Sequence, residues 1–223
     1  MVPQHAPERQ GLDLHASMIT AKEVGGDLYG YLLEGDSLYF CIGDVSGKGV
    51  PASLFMAQAT RLFRTMSSQH MMPAEIATRM NAALTENNEQ SMFVTMFMGL
   101  LNLKTGKLNF CNAGHNPPLV MDSPLSAVTA RNYPFRYLEM EPNAPIGLWP
   151  ELEFVGEEIE DLKGRPMVFY TDGLTEAENK QQEQFGEERL QDLLCHNVLT
   201  SARDVDAFLK KEVEKFRDGA EIN

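Results

Sequence analysis

The sequence predicts an α+β fold in which two stacked antiparallel sheets carry helices on their outer faces. Three observations lead there. Short apolar runs bounded by turn residues come in adjacent pairs, as hairpins do. Helical spacing is confined to one early stretch and to the C-terminal end, so helices are segregated from strands. The runs 38–42, 93–101 and 167–170 are apolar throughout, which suits strands covered on both faces.

Residues 1–11 are polar and turn-rich and read as a lead-in from an upstream domain, leaving 12–223 as one domain. Residues 12–19 alternate loosely as a strand. Runs 28–33 and 37–42 flank Glu34-Gly35-Asp36 as a β-hairpin. A helix is predicted from Pro51 to about Ser67, with Pro51 in its first turn and Phe55, Ala59, Leu62, Phe63 and Met66 on its apolar face. After the connection His70-Met71-Met72, a second helix begins at Pro73 with Ile76, Ala77, Met80, Ala83 and Leu84 as its stripe. Runs 92–103 and 107–112 make another hairpin through Lys104-Thr105-Gly106. A rigid Pro-bearing loop, 113–118, precedes a short strand, 119–121. Stretch 122–150 is mixed and Pro-bearing. Strands 154–159 and 166–170 follow, joined by Leu162-Lys163-Gly164-Arg165. Two helices close the chain. Leu190, Leu193 and Leu194 mark the first. The second has Ser201 and Asp204 as a capping pair, Val205, Phe208, Leu209, Val213 and Phe216 as its stripe, and Gly219 as its stop.

Composition narrows the function classes. A formal net charge of -13 over 223 residues disfavours nucleic acid and anionic membrane surfaces, both of which require basic patches. The longest mostly apolar run, 92–103, is interrupted by Thr95 and is too short to span a bilayer as a helix. Cys41, Cys111 and Cys195 lie far apart, without zinc-site spacing, and read as reduced thiols of a cytoplasmic protein.

The chemistry centres on Gly43-Asp44-Val45-Ser46-Gly47-Lys48-Gly49, where an apolar strand ends and a Gly-rich turn opens toward a helix. A carboxylate there is poorly explained by folding alone. Asp27 after Gly25-Gly26 and Asp172 before Gly173 share the setting, and three such aspartates suggest a common oxygen-ligand metal site. The Gly-Lys pair does not make a phosphate loop. Three residues rather than four lie between Gly43 and Gly47, and Gly49 follows Lys48 where Ser or Thr is required. Nor does Gly25-Gly26-Asp27 fit a diguanylate cyclase turn, because Leu28-Tyr29 follows it. His115 alone reads as a structural loop histidine, and the Met-rich run 92–98 as core.

In order, Glu23-Val24-Gly25-Gly26-Asp27, the Asp44 loop, Ala113-Gly114-His115-Asn116-Pro117-Pro118, Tyr170-Thr171-Asp172-Gly173 and Phe185-Gly186-Glu187-Glu188-Arg189-Leu190 resemble the PPM-type metal-dependent serine/threonine protein phosphatases, in their bacterial SpoIIE-like (RsbU-like) branch. The resemblance covers nearly the whole chain. It implies a four-layer αββα sandwich with a binuclear Mn²⁺ or Mg²⁺ centre. It also implies that Asp44 bridges both ions, that the Val45 carbonyl completes one shell, that Asp172 holds the second ion, and that Asp27 acts directly or through water. In such a centre a water between two ions is acidified and aimed for in-line attack on phosphorus. The implied substrate is a phosphorylated STAS-type anti-sigma-factor antagonist in a bacterial partner-switching pathway, under control of an upstream sensory or receiver domain. The helical hairpin 51–84 directly follows the Asp44 loop, so it reads as a switch element and a possible homodimer surface.

Two departures from the family pattern stand out. Ser46, Gly47 and Lys48 occupy the place where many relatives carry a histidine that protonates the leaving oxygen, so that acid is unassigned; Lys48 is a candidate for holding phosphate. The family's last metal-ligand strand is expected beyond Glu221-Ile222-Asn223, which predicts weak metal occupancy unless Glu176, Glu178 or water completes the shell. Two rival readings are a catalytically weak phosphatase-fold binding module and a small-molecule phosphohydrolase. Clustered carboxylates argue against the first, since a scaffold has no need of them.

Overall fold

The turn Glu34-Gly35-Asp36 folds back two apolar runs, so that β1 (Leu28–Glu34) pairs antiparallel with β2 (Ser37–Val45), Leu28 opposite Gly43. The computed structural model describes residues 3, 5–19, 26–86, 88–128, 132–197 and 200–220. The expected acidic-motif residues Glu23, Val24 and Gly25, and the terminal Glu221-Ile222-Asn223, lie outside these. β2 runs three residues past the predicted strand end, so Asp44 is a ladder residue rather than the start of a turn. The cause is β3 (Val94–Asn102), which pairs along the whole of β2 and ends with Val45 opposite Val94.

The chain forms two units. The first, Met1–Pro7, Glu23–Asn116 and Glu139–Leu162, holds β1 to β3, β4 (Leu108–Ala113), α1 (Val50–Ser67) and α2 (Pro73–Thr85). The second, Glu8–Lys22, Pro117–Leu138 and Lys163–Asn223, contains the strands β5 (Leu119–Met121) and β6 (Phe135–Tyr137). Farther along, β7 (Glu157–Ile159) joins the first unit's sheet and β8 (Met167–Val168) the second's. The sheets are β1-β2-β3-β4-β7 and β6-β5-β8, antiparallel throughout. The α+β class with two antiparallel sheets, each with its own helices, is as the sequence predicts.

In the first unit, the odd-numbered side of β2 and the even-numbered side of β3 pack against α1 and α2, through Tyr39, Cys41, Val45, Val94, Met96 and Met98. The opposite side is apolar too. Phe40, Phe97 and Phe110 stack there at 6.2 and 5.3 Å between ring centroids. Burial pushes the Cys41 thiol far up, and burial with the Glu157 charge pushes Cys111 up to about 12, so neither is a nucleophile. All three cysteines are free; Cys195 is half-buried.

One stripe residue differs from expectation. On α2, Ala83 is exposed, and Asn81 is the buried residue of that turn. Asn81 Nδ2 donates to Trp149 O at 2.9 Å, and Gly147 N–H donates to Asn81 Oδ1 at 2.8 Å. Next to this loop, Ile146 and Val94 exchange backbone hydrogen bonds of 2.9 Å, so Asn81 supports the start of β3. Removing it orphans the buried Gly147 N–H. Asn81→Ala is expected to lower unfolding stability by about 1–3 kcal/mol. A denaturant midpoint equal to wild type would show that this amide is dispensable.

In the second unit, α3 (Asp172–Thr175), α4 (Glu187–His196) and α5 (Ala202–Arg217) follow β8. Leu119, Met121, Phe135, Tyr170, Leu190 and Leu194 form the core. Ser201 caps α5 by accepting the Asp204 N–H at 3.1 Å, and Asp218 and Gly219 end it in the left-handed region, as the capping signals predict. Two predictions fail here. Strands 154–159 and 166–170 shrink to β7 and β8 and join different sheets, because β7 pairs with β4 and β8 with β5.

Residues 12–19 form no ladder beyond a bridge between Arg9 and Leu12. They are strapped to α5 by side chains instead. Ala202 N–H donates to Asp13 Oδ2 at 2.8 Å, His15 Nε2 lies 3.2 Å from Asp206 Oδ2, and Ser17 Oγ donates to the same carboxylate. Burial alone would raise the Asp206 carboxyl, but Ser17, Lys210 and His15 outweigh it and hold it low. No helix among the described residues is long and apolar enough to cross a membrane.

Candidate metal centre

The register of the first hairpin decides what sits beside Asp44. Leu28 faces Gly43 where the ladder of β1 and β2 begins, and beyond it Val45 N–H donates to Gly26 O at 3.2 Å, so Asp27 lies between these two contacts, alongside Asp44. Val45 belongs to the core under the helices, so by strand alternation Asp44 stands on the other side of the sheet, and Asp27 directly precedes β1 beside it. Gly26 makes the approach possible. A Cβ there would stand 2.4 Å from Val45 O, 2.9 Å from Asp44 Oδ1 and 3.0 Å from Val45 N. The Asp44 carboxylate and the Val45 carbonyl thus meet beside one glycine, and Asp27 is the next residue along.

The next strand extends the row. Thr95 lies opposite Asp44 on β3, its Oγ1 3.4 Å from Asp44 O and 3.2 Å from His115 Nδ1. His115 is buried, with its backbone held from both ends by Asn112: Nδ2 donates to His115 O at 2.8 Å, and His115 N–H donates to Oδ1 at 3.0 Å. The loop after Asp44 is tied down as well. Ser46 N–H donates to Phe93 O, and Phe93 N–H donates to Ser46 Oγ, both at 2.9 Å. Gly47 and Gly49, at φ 87° and 79°, make the sharp turn into α1, and Lys48 between them is exposed.

Asp172 belongs to the second unit. It is not at a strand end but is the first residue of the short α3, and it is exposed. The preceding backbone is anchored: Tyr170 Oη donates to Glu187 Oε1 at 3.1 Å, and Tyr137 Oη to Glu187 O at 2.8 Å. Burial, with the Tyr137 and Glu187 charges, pushes the Tyr170 hydroxyl far up, which keeps it a donor. The motif Phe185-Gly186-Glu187-Glu188-Arg189 is accounted for by packing. Gly186 opens α4 at φ 82°, and Arg189 lies 4.1 Å over the Phe216 ring, joining α4 to α5.

Asp27, Asp44 and Val45 are therefore brought together, with Lys48 on the adjoining loop and Asp172 in the other unit. Among the described residues, no group of three or more His, Cys, Asp and Glu side chains is assembled as a metal cluster. Thr95 and Asn81 are contributors that the sequence reading missed. A lone threonine in an apolar strand was the available signal for the first; nothing at helical spacing flagged the second.

The donor set suits a hard divalent cation. Carboxylate and carbonyl oxygens are what Mg²⁺ and Mn²⁺ take, and two neighbouring like charges are destabilising without a cation nearby.

Comparison with known proteins points the same way. Protein IcfG of Synechocystis sp. (strain ATCC 27184 / PCC 6803 / Kazusa) is 28% identical over 249 residues, covering 98% of this chain and 37% of IcfG. Phosphoserine phosphatase RsbU of Bacillus subtilis (strain 168) is 25% identical over 213 residues, covering 95% of this chain and 61% of RsbU. The solved RsbU and RsbW domains of Rv1364c from Mycobacterium tuberculosis match with a TM-score of 0.70 at 28% identity, over 90% of this chain and 52% of that one. The chain corresponds to part of each relative's length. Residues 34–222, which include Asp44, His115 and Asp172 but not Asp27, match the family described as Stage II sporulation protein E (SpoIIE), and the chain belongs to that family.

Proposed function

We propose that this chain is a metal-dependent protein phosphatase domain that hydrolyses phosphoserine or phosphothreonine on a regulatory partner protein. The observation that carries the reading is the Asp44 carboxylate and the Val45 carbonyl gathered at Gly26, next to Asp27, in a chain of the SpoIIE family. In this reading Asp44 would hold the metal ions together with Val45 O and Asp27, and Asp172 would serve a second ion. Bound Mn²⁺ or Mg²⁺ supplies an acidified water and offsets charge on the phosphoryl oxygens.

The chain's own residues do the rest. The ladder between β2 and β3 fixes the Asp44 backbone, and the hydrogen bond from Val45 N–H to Gly26 O holds the segment beside Asp27, before substrate arrives, which is the preorganisation such chemistry requires. Ser46 locks the following loop to Phe93, leaving exposed Lys48 to meet phosphate oxygens as a mobile point charge. Tyr170 and Glu187 hold the backbone entering Asp172.

The substrate we infer is a phosphorylated STAS-type anti-sigma-factor antagonist in a cytoplasmic, bacterial partner-switching pathway. Support comes from a relative named phosphoserine phosphatase RsbU and from a related protein that carries RsbU and RsbW domains together. Control by an upstream sensory or receiver domain, and homodimerisation through α1 and α2, complete the reading.

The test is incubation with phosphorylated STAS proteins from the same genome, with manganese or with chelator. Manganese-dependent loss of phosphate from one of them is expected. Cleavage of p-nitrophenyl phosphate with every phosphoprotein left intact would indicate a small-molecule phosphohydrolase. Tight STAS binding without hydrolysis would indicate a docking module.

A further inference from the structure

The carbonyl of Asp44 and the N–H of Val45 belong to one peptide unit, flanked by the Asp44 carboxylate and the Val45 carbonyl. One edge of that peptide is held by Gly26, whose carbonyl accepts the Val45 N–H at 3.2 Å. The other edge faces β3, where Thr95 is the residue directly opposite Asp44. Thr95 Oγ1 has two neighbours, Asp44 O at 3.4 Å and His115 Nδ1 at 3.2 Å.

A hydroxyl has one proton to give. Asp44 O can only accept, whereas a neutral imidazole nitrogen donates or accepts according to tautomer. Both contacts are met together in one arrangement: His115 donates from Nδ1 to Thr95 Oγ1, and Thr95 donates its own proton to Asp44 O. A carbonyl has two lone pairs, so this hydroxyl adds to the strand ladder without displacing it. His115 is 5% exposed, and its backbone is pinned by both polar ends of the Asn112 amide. Asn112 is pinned in turn, since Asn143 Nδ2 donates to its carbonyl at 3.2 Å. A buried imidazole anchored in this way is a fixed reference point.

We propose that Thr95 and His115 are positioning residues for the metal-binding peptide. His115 orients the Thr95 hydroxyl, and Thr95 holds the Asp44–Val45 peptide so that the Asp44 carboxylate and Val45 carbonyl are presented together. This rests on the metal-centre reading above. It assigns work to two residues that bind neither ion nor substrate. Partners of this kind behind a metal ligand are typically worth about 10- to 100-fold in metal affinity.

Thr95→Val keeps the shape and strand preference while deleting the hydroxyl, and Thr95→Ser keeps the hydroxyl. Calorimetric titration of Mn²⁺ into the full chain is expected to show about tenfold weaker binding for Thr95→Val, restored to near wild type by Thr95→Ser. His115→Leu is expected to reproduce Thr95→Val, and the double variant to add little, as for residues acting in series. In metal-free protein, hydrogen exchange of the Val45 amide is expected to speed up several-fold in Thr95→Val and not in Thr95→Ser. Equal manganese affinity and equal exchange in wild type and Thr95→Val overturn the proposal. So does a full additive loss in the double variant. Where wild type binds manganese too weakly to titrate, Val45 exchange decides by itself, and equal exchange in wild type and Thr95→Val overturns the clamp.

Discussion

Asp44→Asn is expected to reduce manganese-dependent phosphoprotein hydrolysis by about 10²-fold or more, the scale of losing one preorganised electrostatic element. The substitution keeps size and strand geometry but removes one of the two neighbouring carboxylate charges. A fold-only role predicts the opposite pattern, a stability loss of about 1 kcal/mol with turnover retained. The cross-strand geometry sharpens the contrast. Asp27 lies alongside Asp44, between the Leu28–Gly43 pair and the Val45–Gly26 hydrogen bond, and like charges held close are destabilising. In chelator, Asp44→Asn is therefore expected to melt no lower than wild type, and manganese is expected to raise the melting temperature of wild type only. Near-normal turnover by the variant in manganese would remove Asp44 from the centre.

The hairpins, the paired helices and the α5 cap were legible because each rests on local chemistry: alternation, helical period, a Ser-Asp pair, a terminal glycine. What was not legible depends on partners distant in sequence. Strand β2 outlasts its apolar run because β3 pairs with it to Val45, which turns Asp44 from a turn residue into a ladder residue. Strands 154–159 and 166–170 read as neighbours, yet β4 and β5 claim them for separate sheets. Residues 12–19 alternate as a strand does, but Asp13, His15 and Ser17 find polar partners on α5 in place of a ladder. On α2 an apolar stripe places Ala83 inside, while the two backbone groups of the 147–149 loop need an amide and select Asn81. The same limit applied at the site. Asp27, Asp44 and Val45 were legible as a motif, but the hydroxyl that touches Asp44 O came from Thr95, a position that reads only as an interruption of an apolar run.

Gly26→Ala is expected to do more damage than its single methyl suggests, and its control lies in the same hairpin. At Gly26 the added Cβ would stand 2.4 Å from Val45 O, a backbone atom that cannot swing aside as a side-chain tip does. Relief requires the Gly26 segment to part from the end of β2, which breaks the Val45 N–H bond to Gly26 O and separates Asp27 from Asp44. At Gly30, within β1, the added Cβ would meet only Cys41 Sγ at 3.4 Å, an ordinary contact. Overpacking of the first kind costs about 1–3 kcal/mol, whereas alanine at Gly30 is expected to be close to neutral. The two variants should also separate in metal binding. Gly26→Ala is expected to weaken manganese affinity by more than tenfold, because both carboxylates and the Val45 carbonyl lose their common register, while Gly30→Ala leaves it unchanged. Melting curves in chelator and calorimetric titration in manganese measure the two effects separately. If Gly26→Ala only melts earlier and binds manganese as wild type does, the glycine serves the hairpin, and the oxygens around it are not the metal's ligands.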